Sequence, residues 1–90
     1  MSAGTANASS AGHCYSSQVG SSVATSQCTS GNMGLEHRVW ADCYDLGVYQ
    51  GRYRGSWVSS QGQSRVSCPG SSVVRAHGFE IRNDHLSPRE

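Results

Sequence analysis

Leu35–Cys43 reads LEHRVWADC and is the segment that decides the fold. Alternate residues of a β-strand face opposite sides of a sheet. One alternate set is mostly apolar or small and is predicted to face inward: Leu35, His37, Val39, Ala41 and Cys43. The other set is charged or aromatic and is predicted to face outward: Glu36, Arg38, Trp40 and Asp42. The segment therefore predicts a strand with one buried face, on which Trp40 points outward unless a second layer covers it.

The β pattern continues toward both ends of the chain. CYSSQVGSSVATSQC (14–28) gives two short runs separated by a turn at Gly20. RYRGSWVSS (52–60) and SRVSC (64–68) flank QGQ and are predicted to form a hairpin. VVRAHGFEIR (73–82) is a last strand, in which a bulge at His77-Gly78 would keep the apolar positions in phase.

No segment shows convincing helical periodicity, so the sequence predicts an all-β protein. The expected architecture is a small antiparallel sandwich or barrel of about six strands. We expect one β domain over residues 13–83, between an N-terminal tail (1–12) and a polar C-terminal tail (84–90). Because residues 1–12 are small and polar, that tail is expected either to be flexible or to dock on a partner as an added strand.

The chain is short and poor in bulky apolar residues, so it needs covalent support. It has 90 residues, of which 36% are hydrophobic, and a chain of this size buries only about 60% of its unfolded surface. Four cysteines are predicted to form two disulfides: Cys14, Cys28, Cys43 and Cys68. Of the three possible pairings, Cys14–Cys28 with Cys43–Cys68 is favoured, because sequential pairs suit neighbouring strands. Each bond would contribute about 3 kcal/mol.

Cysteine usage and composition favour a secreted protein. No apolar run is long enough to span a membrane, and no signal-peptide apolar region follows Met1, so we expect a mature secreted domain with an added initiator methionine. All seven basic residues are arginine, which favours a GC-rich, actinobacterial genome. The net charge of +1 gives no electrostatic reason to expect a nucleic-acid partner.

The sequence predicts no catalytic residue, cofactor or metal. The four histidines (His13, His37, His77 and His85) lack the close spacing of zinc ligands, and no G-x-S-x-G motif occurs. A Ser–His–Asp arrangement can assemble from distant residues. However, a β domain of this size has little room to enclose a substrate pocket.

VYQGRYRGSWV (48–58) concentrates the residue types that dominate protein interfaces. The candidate partner-binding residues are Tyr49, Arg52, Tyr53, Arg54 and Trp57. Strand alternation offers a second interpretation, in which Tyr53 and Trp57 share a core face and the arginines simply point outward. Exposed aromatic rings would also suit a glycan.

The cysteine layout, with CYD at Cys43, resembles the tendamistat family of small secreted α-amylase inhibitors. The resemblance spans residues 14–68 and implies a two-sheet β fold with two sequential disulfides. That family's inhibitory Trp-Arg-Tyr lies between the first two cysteines, where this chain has neither Trp nor Arg. Amylase inhibition is therefore not carried over, although RYR before Trp57 offers similar chemistry in a different loop.

YDLGVYQG (44–51) resembles the aromatic-x4-aromatic-x-Gly hairpin signature of βγ-crystallin-type proteins, at Tyr44, Tyr49 and Gly51. The calcium motif of that type is nearly matched by NDHLSP (83–88), but Pro88 replaces its final serine. That segment also lies far downstream of the hairpin, so we expect no bound calcium.

These observations together predict a secreted, non-catalytic binding protein. The leading hypothesis is a proteinaceous inhibitor of a secreted hydrolase. The first alternative is a small subunit or adaptor of a secreted, competition toxin-like assembly, docking through its N-terminal tail. The second is a carbohydrate-binding module or lectin.

Overall fold

The computed structural model describes residues 14–29 and 35–83, and their regular secondary structure is entirely β. Seven strands follow one another along the chain: β1 (Cys14–Val19), β2 (Val23–Cys28), β3 (Leu35–Asp45), β4 (Val48–Arg54), β5 (Val58–Ser59), β6 (Ser64–Ser67) and β7 (Val73–Asn83). The predicted all-β antiparallel fold is confirmed. The predicted tails, 1–12 and 84–90, lie outside the described residues.

The strands form two antiparallel sheets that pack face to face as a small sandwich. The first sheet has the order β1-β2-β6. In the second sheet β3 is central, with β7 on one side and β4 and then β5 on the other. The inward face of β3 is buried as predicted, since Val39, Ala41 and Cys43 are 0% exposed.

Both disulfides have the predicted pairing. Cys14 and Cys28 are directly opposite each other on β1 and β2, so their bond closes one end of a hairpin. Cys43 lies on β3 and Cys68 directly follows β6, so the second bond joins the two sheets through the core. The two bonds therefore stabilise different levels of the fold, one within a sheet and one between the sheets.

The predicted hairpin around QGQ is wrong. β4 ends at Arg54, after which β5 pairs with β3 and β6 pairs with β2 in the other sheet. The chain crosses to the first sheet between β5 and β6. Gly55, between β4 and β5, lies close to β6, since an added Cβ would be 2.6 Å from the Arg65 carbonyl oxygen. Strand alternation alone does not choose a partner strand. β6 joins the first sheet, where Ser64 and Val66 continue the small inward face of β2.

The predicted bulge in the last strand exists but lies two residues earlier. The register of β7 against β3 shifts between its Val74 and Ala76 positions, which leaves Arg75 as the extra residue. Val74 is buried and Ala76 is exposed, because the bulge places them on opposite faces of the sheet. From Ala76 onward the strand alternates regularly and directs Phe79 and Ile81 inward.

The interior between the sheets has a polar centre. The His37 side chain on β3 is 0% exposed, and its Nδ1 lies 2.7 Å from Ser26 Oγ on β2. Its Nε2 lies 3.0 Å from the Gly62 carbonyl oxygen. Because a carbonyl only accepts, Nε2 donates to it, and in the neutral ring Nδ1 accepts from the Ser26 hydroxyl. His37 therefore links β2, β3 and the segment between β5 and β6.

Candidate binding surface

The side of the second sheet that points away from the first is rich in arginine, aromatic and carboxylate side chains. We call it the outer face, and it comprises Glu36, Arg38, Trp40, Asp42 and Tyr44 from β3, Tyr49, Arg52 and Arg54 from β4, Trp57, and Arg75, Glu80 and Arg82 from β7. Strand alternation places most of them there, because the other alternate positions of β3 are buried. Trp57 and the bulge residue Arg75 are on this face through their contacts with Arg38, Arg82 and Tyr44. Within the described part of the chain, no third layer covers this face.

At one end of the outer face, Trp57 lies between two arginines. The guanidinium carbons of Arg38 and Arg82 each lie 4.4 Å from the centroid of the indole ring. Arg82 also donates a hydrogen bond of 2.6 Å to Glu36. The ring thus holds two cations in place through its negative face.

The centre of the outer face has a second stack. The Arg52 guanidinium lies 3.8 Å from the centroid of Trp40 and donates to both oxygens of Asp42, at 2.8 and 3.1 Å. Trp40 lies across Gly78 of β7, where an added Cβ would be 2.6 Å from the ring. Glycine is required there because the indole occupies the space of a side chain.

Glu80 connects the Trp57 stack to Arg54 of β4. Its Oε1 accepts from Arg38 at 2.6 Å, and its Oε2 accepts from Arg54 at 3.4 Å. Burial alone raises the pKa of Glu80, but the hydrogen bonds and charges of these two arginines together lower the pKa below its ordinary value. The pKa of Asp42 is also lowered, chiefly by the hydrogen bond from Arg52. Both carboxylates are therefore stabilised in the ionised form.

This network predicts a loss of stability in acid. A carboxyl group whose folded pKa is lowered stabilises the fold above its unfolded pKa, and this contribution is lost as the pH falls through the folded pKa. We expect the free energy of unfolding to decrease as the pH falls below about 4, and to decrease less in an Asp42→Asn, Glu80→Gln double variant. Urea unfolding at a series of pH values measures this. Asp45→Asn is the matched control, since Asp45 contacts Ser71, and equal pH dependence in both variants would contradict the prediction.

The hairpin between β3 and β4 ends in an exposed apolar tip. Leu46 is 97% exposed, Val48 is 60% exposed and Tyr49 is 53% exposed. We call these three residues the hairpin tip. The two central turn residues, Leu46 and Gly47, have φ values of 52° and 82°, as in the type I′ turns that join twisted antiparallel strands. Asn or Gly normally occupies the first of these positions, and leucine there costs about 1 kcal/mol.

The structure separates the five candidate residues predicted from the sequence. Tyr49, Arg52, Arg54 and Trp57 are on the outer face, whereas Tyr53 lies opposite Ala41 on the inward side and is 37% exposed. The suggested core face shared by Tyr53 and Trp57 does not form, because β4 ends before Trp57. The sequence reasoning missed the exposure of Leu46. The two-residue spacing of DLGV was the available signal for a tight hairpin.

Both histidines of the described residues, His37 and His77, contact a serine. No group of three or more histidine, cysteine, aspartate or glutamate side chains there could hold a metal ion. Ser26 and His37 resemble a nucleophile and base in their contact, but they are 1% and 0% exposed. A second pair, Ser16 and His77, links β1 to β7 with Oγ and Nδ1 2.8 Å apart. Both pairs join the two sheets.

The fold and this surface define a small two-sheet β protein, held by two disulfides, with one face on which arginines contact aromatic rings and carboxylates. Compared with models of known protein families, with curated protein sequences and with solved structures, the chain matches none. The all-β fold and sequential disulfides expected from the tendamistat resemblance are confirmed, but no family match supports that assignment or the crystallin-type one. No helix in the described residues is long and apolar enough to cross a membrane.

Proposed function

We propose that this protein is a secreted, non-catalytic binding protein that inhibits a secreted hydrolase through its hairpin tip. The observation that carries the proposal is Leu46, which is 97% exposed and held at a φ of 52°. A large apolar side chain gains nothing for folding at such a position. Backbone strain of this kind persists where the position serves a function.

The hairpin tip is held in one conformation by the contacts around it. Leu46 is three residues from Cys43, which is joined through the core to Cys68. The Tyr44 and Tyr49 rings pack across the hairpin with centroids 5.4 Å apart, and β3 is paired on both sides. A tip that is ordered before association loses less conformational entropy on binding, which favours high affinity.

The shape of the tip favours a concave partner. A two-residue turn is narrow, and its side chains project from the end of the hairpin. Clefts lined by apolar side chains are typical of enzyme active sites, and the two disulfides are typical of proteins that work outside the cytosol. A secreted hydrolase has such a cleft and works outside the cytosol. The adaptor alternative depends on residues 1–12, which lie outside the described part of the chain.

Leu46→Asn tests the proposal, because it separates binding from folding. Asparagine suits the left-handed conformation, so we expect the variant to be more stable by about 0.5–1 kcal/mol. We also expect it to bind its target at least about 30-fold more weakly, since central apolar anchors dominate interface energies. Thermal unfolding measures stability. A panel of purified secreted proteases and glycosidases, together with enzymes captured from secreted fractions, measures inhibition.

Tyr15→Asn is the matched control, since Tyr15 is a 43% exposed apolar residue on β1 of the other sheet. It should leave inhibition unchanged. If Leu46→Asn inhibits a captured hydrolase as strongly as the unmodified protein does, the tip is not the contact. If no hydrolase is inhibited by the unmodified protein, the inhibitor proposal itself is overturned.

A further inference from the structure

We propose that the outer face is a docking surface for an anionic polysaccharide, one that carries sulfate or carboxylate groups. This proposal goes beyond the inhibitor function, because it concerns the arginines of the outer face and not the apolar side chains of the hairpin tip. A protein that docks in this way would be held at polysaccharide-coated surfaces while its tip stays free. The two proposals therefore succeed or fail independently.

The first observation is the concentration of positive charge. The whole chain has seven arginines and six acidic residues. Within the described residues, the outer face has five arginines and only three acidic residues: Arg38, Arg52, Arg54, Arg75 and Arg82, with Glu36, Asp42 and Glu80. A nearly neutral protein thus has one face with a clear cationic excess, and opposite charge on a partner favours association with that face.

The second observation is the balance of hydrogen-bond donors and acceptors. Both oxygens of Asp42 and both oxygens of Glu80 already accept from arginines. Each guanidinium has five N–H donors, and most of these remain unused in the described contacts. The arginine side chains that pair with the carboxylates are 28% to 47% exposed. A ligand rich in acceptors, as sulfates and carboxylates are, complements this face.

The third observation is that the guanidinium groups are held in place before any ligand arrives. Trp57 holds two arginines, Trp40 holds one, and Tyr44 lies 5.2 Å from the guanidinium of Arg75. The bulge in β7 at Arg75 brings that side chain toward the outer face. Planar guanidinium groups that are stacked lose less entropy for each hydrogen bond formed.

A polysaccharide fits this surface better than a peptide or a nucleic acid. The flat of a sheet offers side chains only, whereas an acidic peptide that binds as an added strand needs the backbone groups of a sheet edge. Binding of single-stranded nucleic acid relies on open aromatic rings for base stacking. Here arginines occupy faces of the Trp40 and Trp57 rings. Multiple acidic groups along a sugar chain require only guanidinium donors.

Dextran sulfate is the probe, with neutral dextran as the control for the sugar backbone and poly-glutamate as the control for charge alone. Titrations at low ionic strength measure the affinity of the full chain for each polymer. We expect dextran sulfate to bind and neutral dextran not to bind. An Arg54→Ala, Arg75→Ala double variant should bind dextran sulfate about five- to twentyfold more weakly. These two arginines have the weakest internal contacts on this face.

Two matched variants distinguish binding at the outer face from binding to positive charge anywhere on the protein. Arg65→Ala removes an exposed arginine from β6 of the other sheet and should leave the affinity unchanged. Glu36→Gln removes a competing carboxylate and should raise the affinity, which loss of folding would not do. The proposal is overturned if dextran sulfate does not bind, if Arg65→Ala weakens binding as much as the double variant, or if poly-glutamate binds more tightly. Self-association through this face, seen by sedimentation, would also overturn it.

Discussion

Replacing Cys43 and Cys68 together with alanine is expected to lower the free energy of unfolding by about 3–4 kcal/mol. The bond closes a loop with a sequence separation of 25, for which the chain-entropy model gives that value. Cys43 is 0% exposed and Cys68 is 7% exposed, so the substitutions also remove sulfur atoms from the core. Because small domains are often stable by only about 5 kcal/mol, we expect the variant to retain only about 1–2 kcal/mol of stability. Urea unfolding followed by tryptophan fluorescence measures this.

The control is the double alanine variant of Cys14 and Cys28. That bond closes a shorter loop, with a sequence separation of 14, within one hairpin. It is expected to cost slightly less, about 3 kcal/mol, and to leave the contact between the sheets intact. We therefore expect hydrogen exchange in β3 to increase more when the bond between the sheets is removed. Equal or greater stability of the Cys43 and Cys68 variant would contradict the role assigned to that bond.

His37→Ala is the second substitution with a large expected effect, a loss of about 3–5 kcal/mol. It removes one of the largest fully buried side chains and leaves a cavity. It also leaves the Ser26 hydroxyl and the Gly62 carbonyl without the partner they have now, at 2.7 and 3.0 Å, and buried polar groups without partners are costly. Thermal and urea unfolding measure the loss.

A double-mutant cycle with Ser26→Ala measures the coupling between the two side chains. We expect the losses from Ser26→Ala and His37→Ala to be less than additive, because each removes the same hydrogen bond. His77→Ala is the matched control, since His77 contacts Ser16 in a similar way but is only half-buried, and it should cost about 1 kcal/mol. Additive losses, or a smaller effect at His37 than at His77, would show that His37 does not hold the interior together.

The strands with one consistently buried side could be predicted from the sequence. The alternation in LEHRVWADC identified the inward side of β3, because a residue's side of the sheet is set by strand geometry alone. Pairing of Cys14 with Cys28 followed for a related reason, since a hairpin brings these sequential segments together, and Cys43 and Cys68 then remained as the second pair. Trp40 was predicted to face outward and does so.

The predictions that failed concern contacts between distant segments. SRVSC follows RYRGSWVSS closely in sequence, but β6 pairs with β2 because its Ser64 and Val66 continue that strand's inward face. The bulge at Arg75 depends on the register of β7 against β3. The partners of Arg38, which are Glu80 and Trp57, are 42 and 19 positions away in the sequence, and no local pattern brings them together.

The sequence alone determined the fold class, the disulfide support and the orientation of the central strand, because these depend on local alternation and on neighbouring segments. It also marked residues 48–58 as unusual. Only the tertiary structure decided which of those residues lie together, since that depends on the register of β4, β5 and β7 against β3. The stacked arginines of the outer face are a product of that alignment.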